Sequence, residues 1–500
     1  MSTDAAAPDA YEALLEHYER YTALGTTQQL LSWDQQVMMP EGGTPARSLQ
    51  QSAMSGLSHE VITDDAVADR LEELEAAELD DERAAVVREI RRAHDRSAAV
   101  PRELIETISE KTTEALGVWE RAREEDDFDQ FAPALEELVE LRREYANHID
   151  PDRDPYAVLF EGYEPYLPLE TADAVLEELR EALVPLVDAV AESDVEVESP
   201  FAGGTYDPDK QEALSRDLLD DLGYDWERGR LDTSTHPFTS GNPFDARITT
   251  RFHEDDPLDA LMATIHEFGH ASYELGLPGE AFGSPLGESR DLTVHESQSR
   301  FWENHVGRTR AFWRFATPTV TDHLGVDADP EAFYRGANEV YDDNPIRVEA
   351  DELTYHLHIV LRYEIERDLV RGELDVADVP QVWNDKMEEY LGFRPETDAE
   401  GCLQDIHWSH GNFGYFPTYS LGSVLAAQLD HHLRADLGDV DAMVEAGEFA
   451  PLYDWMTEHV HRHGARYTTP DLVREATGEA YTADHFVDYV TGKYGELYDL

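Results

Sequence analysis

His266 and His270 stand four residues apart in His266-Glu267-Phe268-Gly269-His270. On a helix, residues i and i+4 lie on one face, one turn apart. Two imidazoles so placed reach a single zinc ion at about 2.0–2.1 Å. Glu267 lies beside them, where a general base that takes a proton from a water on the ion belongs. With 21 histidines in 500 residues, chance gives this pattern about 0.1 times per chain, so the motif needs context. The alternative is two surface histidines on an acidic helix.

Such a zinc needs a third protein ligand and one open position. After a Gly/Pro-rich connection from Gly276 to Gly287 comes a second helical pattern, His295-Glu296-Ser297-Gln298-Ser299-Arg300. A tight turn between antiparallel helices brings Glu296 back over the two histidines. Two His and one Glu form the ligand set of a hydrolytic zinc site. By pattern alone, Glu288 and Glu303 compete with Glu296.

The elements that must position these residues read mostly as helix. In 171–192, Val175, Leu176, Leu179, Leu183, Leu186, Val187 and Val190 recur at three- and four-residue spacing. Pro185 should kink or break that helix. Residues 11–33, 66–97, 102–125, 130–148, 258–275, 293–315, 350–371 and 418–436 have similar patterns. From about 196 to 252 the chain turns rich in Gly, Pro, Thr and Phe. There Ala246–Phe252 alternates as a short strand, which places a small sheet just before the motif helix. No long polar linker marks a boundary. The expectation is one mostly helical domain, in which residues 1–195 form a lobe over a catalytic region, 196–500.

Charge narrows the partners. Against 108 Asp+Glu stand 39 Lys+Arg, a net of −69, and only four of the 39 are lysines (Lys111, Lys210, Lys386 and Lys493). Such a surface repels nucleic acid and anionic membrane. Salt screens its self-repulsion, since the Debye length falls to about 3 Å at 1 M. The composition reads as that of a protein from a salt-filled cytosol. Cys402 is the only cysteine, so no intrachain disulfide forms. The first residues do not read as a signal peptide, and no apolar run approaches the roughly 20 residues of a membrane span. A cytoplasmic location is expected.

Further motifs run along the chain: His236-Pro237-Phe238, Asp245-Ala246-Arg247-Ile248-Thr249, His295-Glu296-Ser297-Gln298-Ser299, Ile346-Arg347-Val348-Glu349-Ala350-Asp351 and Gly401-Cys402-Leu403-Gln404-Asp405-Ile406-His407-Trp408. With His266–His270 these resemble, in order, the HPF, DxRxT, HExxH, HES(Q/M)S, IRxxAD and GxxQDxHW motifs of the carboxypeptidase Taq family of thermostable metallocarboxypeptidases. Trp33-Asp34-Gln35 and Met39-Pro40 add to the likeness. The acid load and lysine shortage are not family traits.

The resemblance implies a nearly all-α fold with a small sheet beside a long, deep groove. It implies removal of single residues from peptide C-termini with broad specificity, a homodimer, and one zinc or cobalt ion per subunit. It also implies Glu296 as the third ligand.

On that reading Glu267 takes the water's proton and delivers it to the leaving amine. An exopeptidase must also bind a free carboxylate, and the planar fork of arginine suits it. Arg347 is the first candidate, against a structural ion pair with a nearby acid. Tyr415 and His407 are candidates for the oxyanion donor, against packed aromatics. His236, Asp245 and Arg247 flank the expected strand, whose edge suits an extended peptide; otherwise they only shape a turn. Asp351 and Asp405 are candidates to orient metal-bound histidines, or else cap helices. Two rival readings remain: a zinc oligopeptidase or dipeptidyl carboxypeptidase, and a non-catalytic, metal-stabilised binding protein.

Overall fold

A computed structural model describes residues 6–341 and 343–500. Helix accounts for 69% of the residues, so the expected mostly α fold is what forms. No helix among the described residues is long and apolar enough to cross a membrane.

Helices Ala6–Val37, Thr44–Ile62, Asp65–Glu75 and Asp81–Ala99 open the chain. They close on a small core of their own, built around Leu14, Tyr18, Ile62, Val67, Leu71, Leu74, Val86 and Ile90. A second apolar cluster runs without interruption from Ala115 to Tyr498. The apolar packing therefore divides near residue 100. Helices Arg102–Glu124, Ala132–Ile149 and Leu169–Ala191 contribute to this second cluster, and Val100, Leu104 and Ile108 form a small third one with Leu141, Tyr145 and Ile149.

Several expected elements differ in detail. Helix Leu169–Ala191 runs unbroken through Pro185. The pattern over 66–97 is two helices, because the chain turns between Glu75 and Asp81. The Gly/Pro-rich stretch hides a helix, Pro208–Leu222, with Asp207 capping it through the Asp209 N–H and Pro208 in its first turn. The pattern over 293–315 is three segments: helix Leu292–Arg300, a π-helical stretch Phe301–Gly307, and helix Arg310–Leu324.

The sheet is small and mixed. Strand β3, Ala246–Thr250, lies at its centre, as the alternation predicts; β1, Gly229–Thr233, pairs with it in parallel and β2, Thr239–Ser240, antiparallel. The chain then enters the motif helix, Pro257–Gly276. Asp256 starts it by accepting from the N–H groups of Leu258 and Asp259, both at 3.2 Å. A cap of this kind is worth about 1 kcal/mol.

Two glycines let three helices approach closely. A Cβ on Gly269 would lie 2.5 Å from the Gln298 carbonyl oxygen and the Ser299 Cα. A Cβ on Gly422, in helix Pro417–Leu437, would lie 2.5 Å from Cβ and Cγ of Glu296. Real contacts are never that short, so only glycine permits this packing. Helix Leu292–Arg300 is thereby held between the motif helix and helix Pro417–Leu437.

Candidate metal centre

His266 and His270 face Glu296 across the Gly269 contact. The Nε2 atoms of His266 and His270 lie 3.8 and 3.4 Å from Glu296 Oε2. A tetrahedral ion with bonds of about 2.0–2.1 Å needs ligand atoms about 3.3–3.4 Å apart. The spacing is too long for strong hydrogen bonds and close to that of an ion's ligand set. His266, His270 and Glu296 thus form one group able to hold a metal.

The outer nitrogens are held in place. Glu303 Oε2 lies 2.9 Å from His266 Nδ1, and the His295 carbonyl oxygen 3.1 Å from His270 Nδ1. A proton on each Nδ1 leaves the Nε2 lone pair for an ion. Burial, with His295 adding to it, pushes the His270 pKa down to about 3, so this imidazole is neutral at pH 7.

Arg300, one turn beyond Glu296, donates its Nε to Glu296 Oε1 at 2.7 Å and its Nη1 to Glu303 Oε2 at 3.2 Å. Arg308 donates to Glu303 Oε1 through Nε at 3.3 Å and Nη2 at 3.0 Å. Burial acts against ionisation of both carboxyls. Arg300 and His266, joined by His270 at Glu296 and by Arg308 at Glu303, together outweigh it, and both pKa values lie well below the usual range. The π-helical stretch, which begins at Phe301, carries Glu303; π-bulges recur at functional sites.

The competing carboxylates are elsewhere engaged. Glu303 is the support of His266. Glu288 accepts from Tyr18 Oη at 2.7 Å and Thr22 Oγ1 at 2.8 Å, on the first helix.

Glu267 is buried, and burial raises its pKa despite the charge of His266 and a hydrogen bond from Thr239. Thr239 Oγ1 donates to Glu267 Oε2 at 2.6 Å. Sequence reasoning did not single out Thr239, Arg300 or Tyr355. Only Arg300 carries a signal, as the i+4 partner of Glu296.

Arg347 is not a free guanidinium. Its Nε and Nη2 donate to Asp405 Oδ1 at 3.0 and 2.8 Å, its Nη1 to Tyr355 Oη at 3.2 Å. Arg362 Nε donates to the other oxygen, Oδ2, at 2.6 Å. Asp405 therefore serves two arginines. Asp351 accepts from the N–H groups of Leu353 and Thr354, both at 2.9 Å, and from Tyr341 N–H at 3.2 Å. Neither aspartate orients His266 or His270; Glu303 and the His295 carbonyl do that.

Tyr355, Tyr415, Tyr419 and His407 form an aromatic wall. The rings of Tyr355 and Tyr419 are 6.0 Å apart, Tyr415 and Tyr419 5.3 Å, and His407 and Tyr415 5.5 Å. The guanidinium carbons of Arg300 and Arg347 lie 4.9 and 5.9 Å from the Tyr355 ring, which links the wall to the metal centre. Burial pushes the His407 pKa down to about 4, so His407 is neutral at pH 7. Behind the wall, Glu366 accepts from Trp408 Nε1 at 3.0 Å, Gly414 N–H at 3.1 Å and Tyr156 Oη at 3.2 Å.

His236 is exposed, and its carbonyl accepts from Ser234 Oγ at 2.6 Å. The HPF turn leads into β2, which carries Thr239. Arg247 pairs with both oxygens of Asp245 at 2.8 and 2.6 Å and lies 4.5 Å from the Trp33 ring centre. It joins the sheet to the first helix.

The sequence profile of the carboxypeptidase Taq (M32) metallopeptidases matches residues 13–494. The chain belongs to the carboxypeptidase Taq (M32) metallopeptidase family. It is a metal-dependent carboxypeptidase, a peptide hydrolase. Thermostable carboxypeptidase 1 of Thermus thermophilus is 39% identical over 98% of this chain and 99% of its own. The solved Pyrococcus furiosus carboxypeptidase superposes with a TM-score of 0.94 at 38% identity, over 97% of this chain and 99% of that one. The M32 carboxypeptidase of Deinococcus radiodurans matches with a TM-score of 0.94 at 37% identity, covering 98% and 100%.

Proposed function

We propose that this M32 carboxypeptidase removes single residues from peptide C-termini with broad specificity, using one zinc or cobalt ion held by His266, His270 and Glu296. The observation that carries the reading is the 3.4 and 3.8 Å spacing of the two Nε2 atoms from Glu296 Oε2, with both outer nitrogens engaged. The ion supplies a Lewis acid that activates water and polarises a carbonyl.

The chain's own groups do the rest. Glu267, held by Thr239, takes the proton of the attacking water and passes it to the leaving amine. Tyr415 or His407 donates to the oxyanion from the aromatic wall. Arg347, latched to Asp405, orients Tyr355 and gives the wall a positive field for the terminal carboxylate. The edge of β2, next to Thr239, lines the extended peptide, with His236 and Arg247 shaping its approach.

The −69 charge supports work at high salt in the cytoplasm, and the family likeness supports a homodimer. Mass spectrometry of a peptide digested at molar salt tests the reading. It expects a ladder of single-residue losses from the C-terminus. Dipeptides or internal fragments as primary products would replace it with the oligopeptidase reading.

A further inference from the structure

A second cluster of metal-ligating side chains lies at the far end of helix Pro417–Leu437. His431 and His432 stand near the end of that helix, His485 in the first turn of Asp484–Leu497, and Glu479 between them in the connection after Thr477. Glu479 Oε1 lies 2.9 Å from His432 Nε2 and 2.6 Å from His485 Nε2. Among the described residues, His432, Glu479 and His485 form a second group of three able to hold a metal.

The cluster is braced. The His431 ring stacks on His485 at 4.2 Å and 28°. The His432 and His485 rings stand at 80° to each other. Gln428 Nε2 donates to the Ala480 carbonyl at 2.9 Å and to Glu479 Oε1 at 3.3 Å, while Gln428 Oε1 accepts the Thr482 N–H at 3.2 Å. The connection that carries Glu479 is thus tied to the helix that carries the histidines.

We infer that His432, Glu479 and His485 form a second site for a borderline transition-metal ion such as zinc, cobalt or nickel. Two imidazoles and one carboxylate favour those ions over magnesium or calcium, which prefer oxygen alone. Without an ion, the two Nε2–H groups share one carboxylate oxygen. With one, both imidazoles adopt the Nδ1–H tautomer and turn their Nε2 lone pairs inward. The N···O separations then open by about 0.5 Å toward the roughly 3.3 Å of a tetrahedral set. Glu479 has the freedom for this, since its side chain is 40% exposed. The same exposure gives the ion an entry path and leaves room for water ligands. Gly422, against Glu296, and His432 are ten residues apart on one helix. The second site therefore lies about 15 Å along that helix from the catalytic ligands.

Cobalt titration of the metal-loaded protein at molar KCl tests this. The readouts are metal content after gel filtration and the visible spectrum. The expected result is a second cobalt equivalent with imidazole–carboxylate bands and a thermal midpoint that rises with added cobalt. In His432→Ala/His485→Ala the second equivalent and the rise should vanish while peptidase activity stays unchanged. Glu479→Gln, a smaller change for the case where the double variant folds poorly, should weaken the second site about tenfold or more. A wild-type protein that takes one equivalent overturns the site. So does a well-folded variant that keeps the second equivalent with the same bands, since the ion then lies elsewhere on the acidic surface.

Discussion

Thr239 and Glu267 come from different elements, an edge strand and the motif helix, and meet in a 2.6 Å hydrogen bond between Thr239 Oγ1 and Glu267 Oε2. The same hydroxyl lies 3.0 Å from the Glu267 carbonyl oxygen. The edge strand therefore aims the base. Thr239→Val should lower kcat about tenfold, the value of a hydrogen bond to a charged group, with metal content unchanged. Thr239→Ser should restore most of it. Glu267→Gln should also keep its metal and lose about 10² or more in turnover. A Glu267→Gln enzyme that turns over normally would remove the general base.

Glu303 should tune metal affinity without binding the ion. It supports His266 Nδ1 at 2.9 Å. Glu303→Gln should weaken metal binding about 10- to 100-fold, read by competition with a chelator. Glu296→Ala should weaken it further, because a ligand is lost outright. An unchanged affinity in Glu303→Gln would separate it from the site.

Arg347 should matter most when the substrate ends in a free carboxylate. Arg347→Ala should cost about 10- to 100-fold on such peptides. C-terminally amidated peptides should be poor substrates for the wild type, and the substitution should cost them little. Equal losses on both would make Arg347 a structural latch for Asp405 alone.

Burial pushes the Glu366 pKa up to about 8, against the donors Gly414, Trp408 and Tyr156. The folded state then binds a proton that the unfolded state releases near pH 4.5. Stability from this group is full below the unfolded pKa and is lost as pH rises through about 8. Between pH 5 and 8 the loss is about 3 kcal/mol. Denaturant midpoints should fall over this range in wild type and more shallowly in Glu366→Gln. Parallel profiles would show that Glu366 stays ionised.

Salt should act through the surface. The thermal midpoint should rise steeply between about 0.1 and 2 M KCl, as the Debye length shrinks from about 10 Å to 3 Å or less. Metal-saturated and metal-free protein should show similar slopes. A flat midpoint would remove the salt adaptation and leave the peptidase untouched.

The sequence carried what depends on local period and spacing. The motif helix is readable from two histidines one turn apart and an apolar face, and β3 from the alternation of Ala246–Phe252. Helix Pro208–Leu222 was not legible, because Gly and Pro around it mask its 3.6-residue period. The break at Glu75–Asp81 has no strong breaker residue and was read as helix. Arg347 shows the limit at the site. Its type predicts a fork for carboxylates, but not that Asp405, 58 residues on, would occupy it. Thr239 was illegible for the same reason: its partner is set by the tertiary contact of β2 with the motif helix.

Gly269 and Gly422 let the helix that carries Glu296 pack tightly between its two neighbours, with Glu296 itself buried. Where a candidate ligand is seated by tight helix packing and buried partners, its position depends little on the exterior. The exterior is then free to be rewritten. The net charge of −69 can then change without moving His266, His270 or Glu296. Surface charge and the geometry of the candidate metal group fall on separate sets of residues, and substitutions at either glycine are the ones that would entangle them.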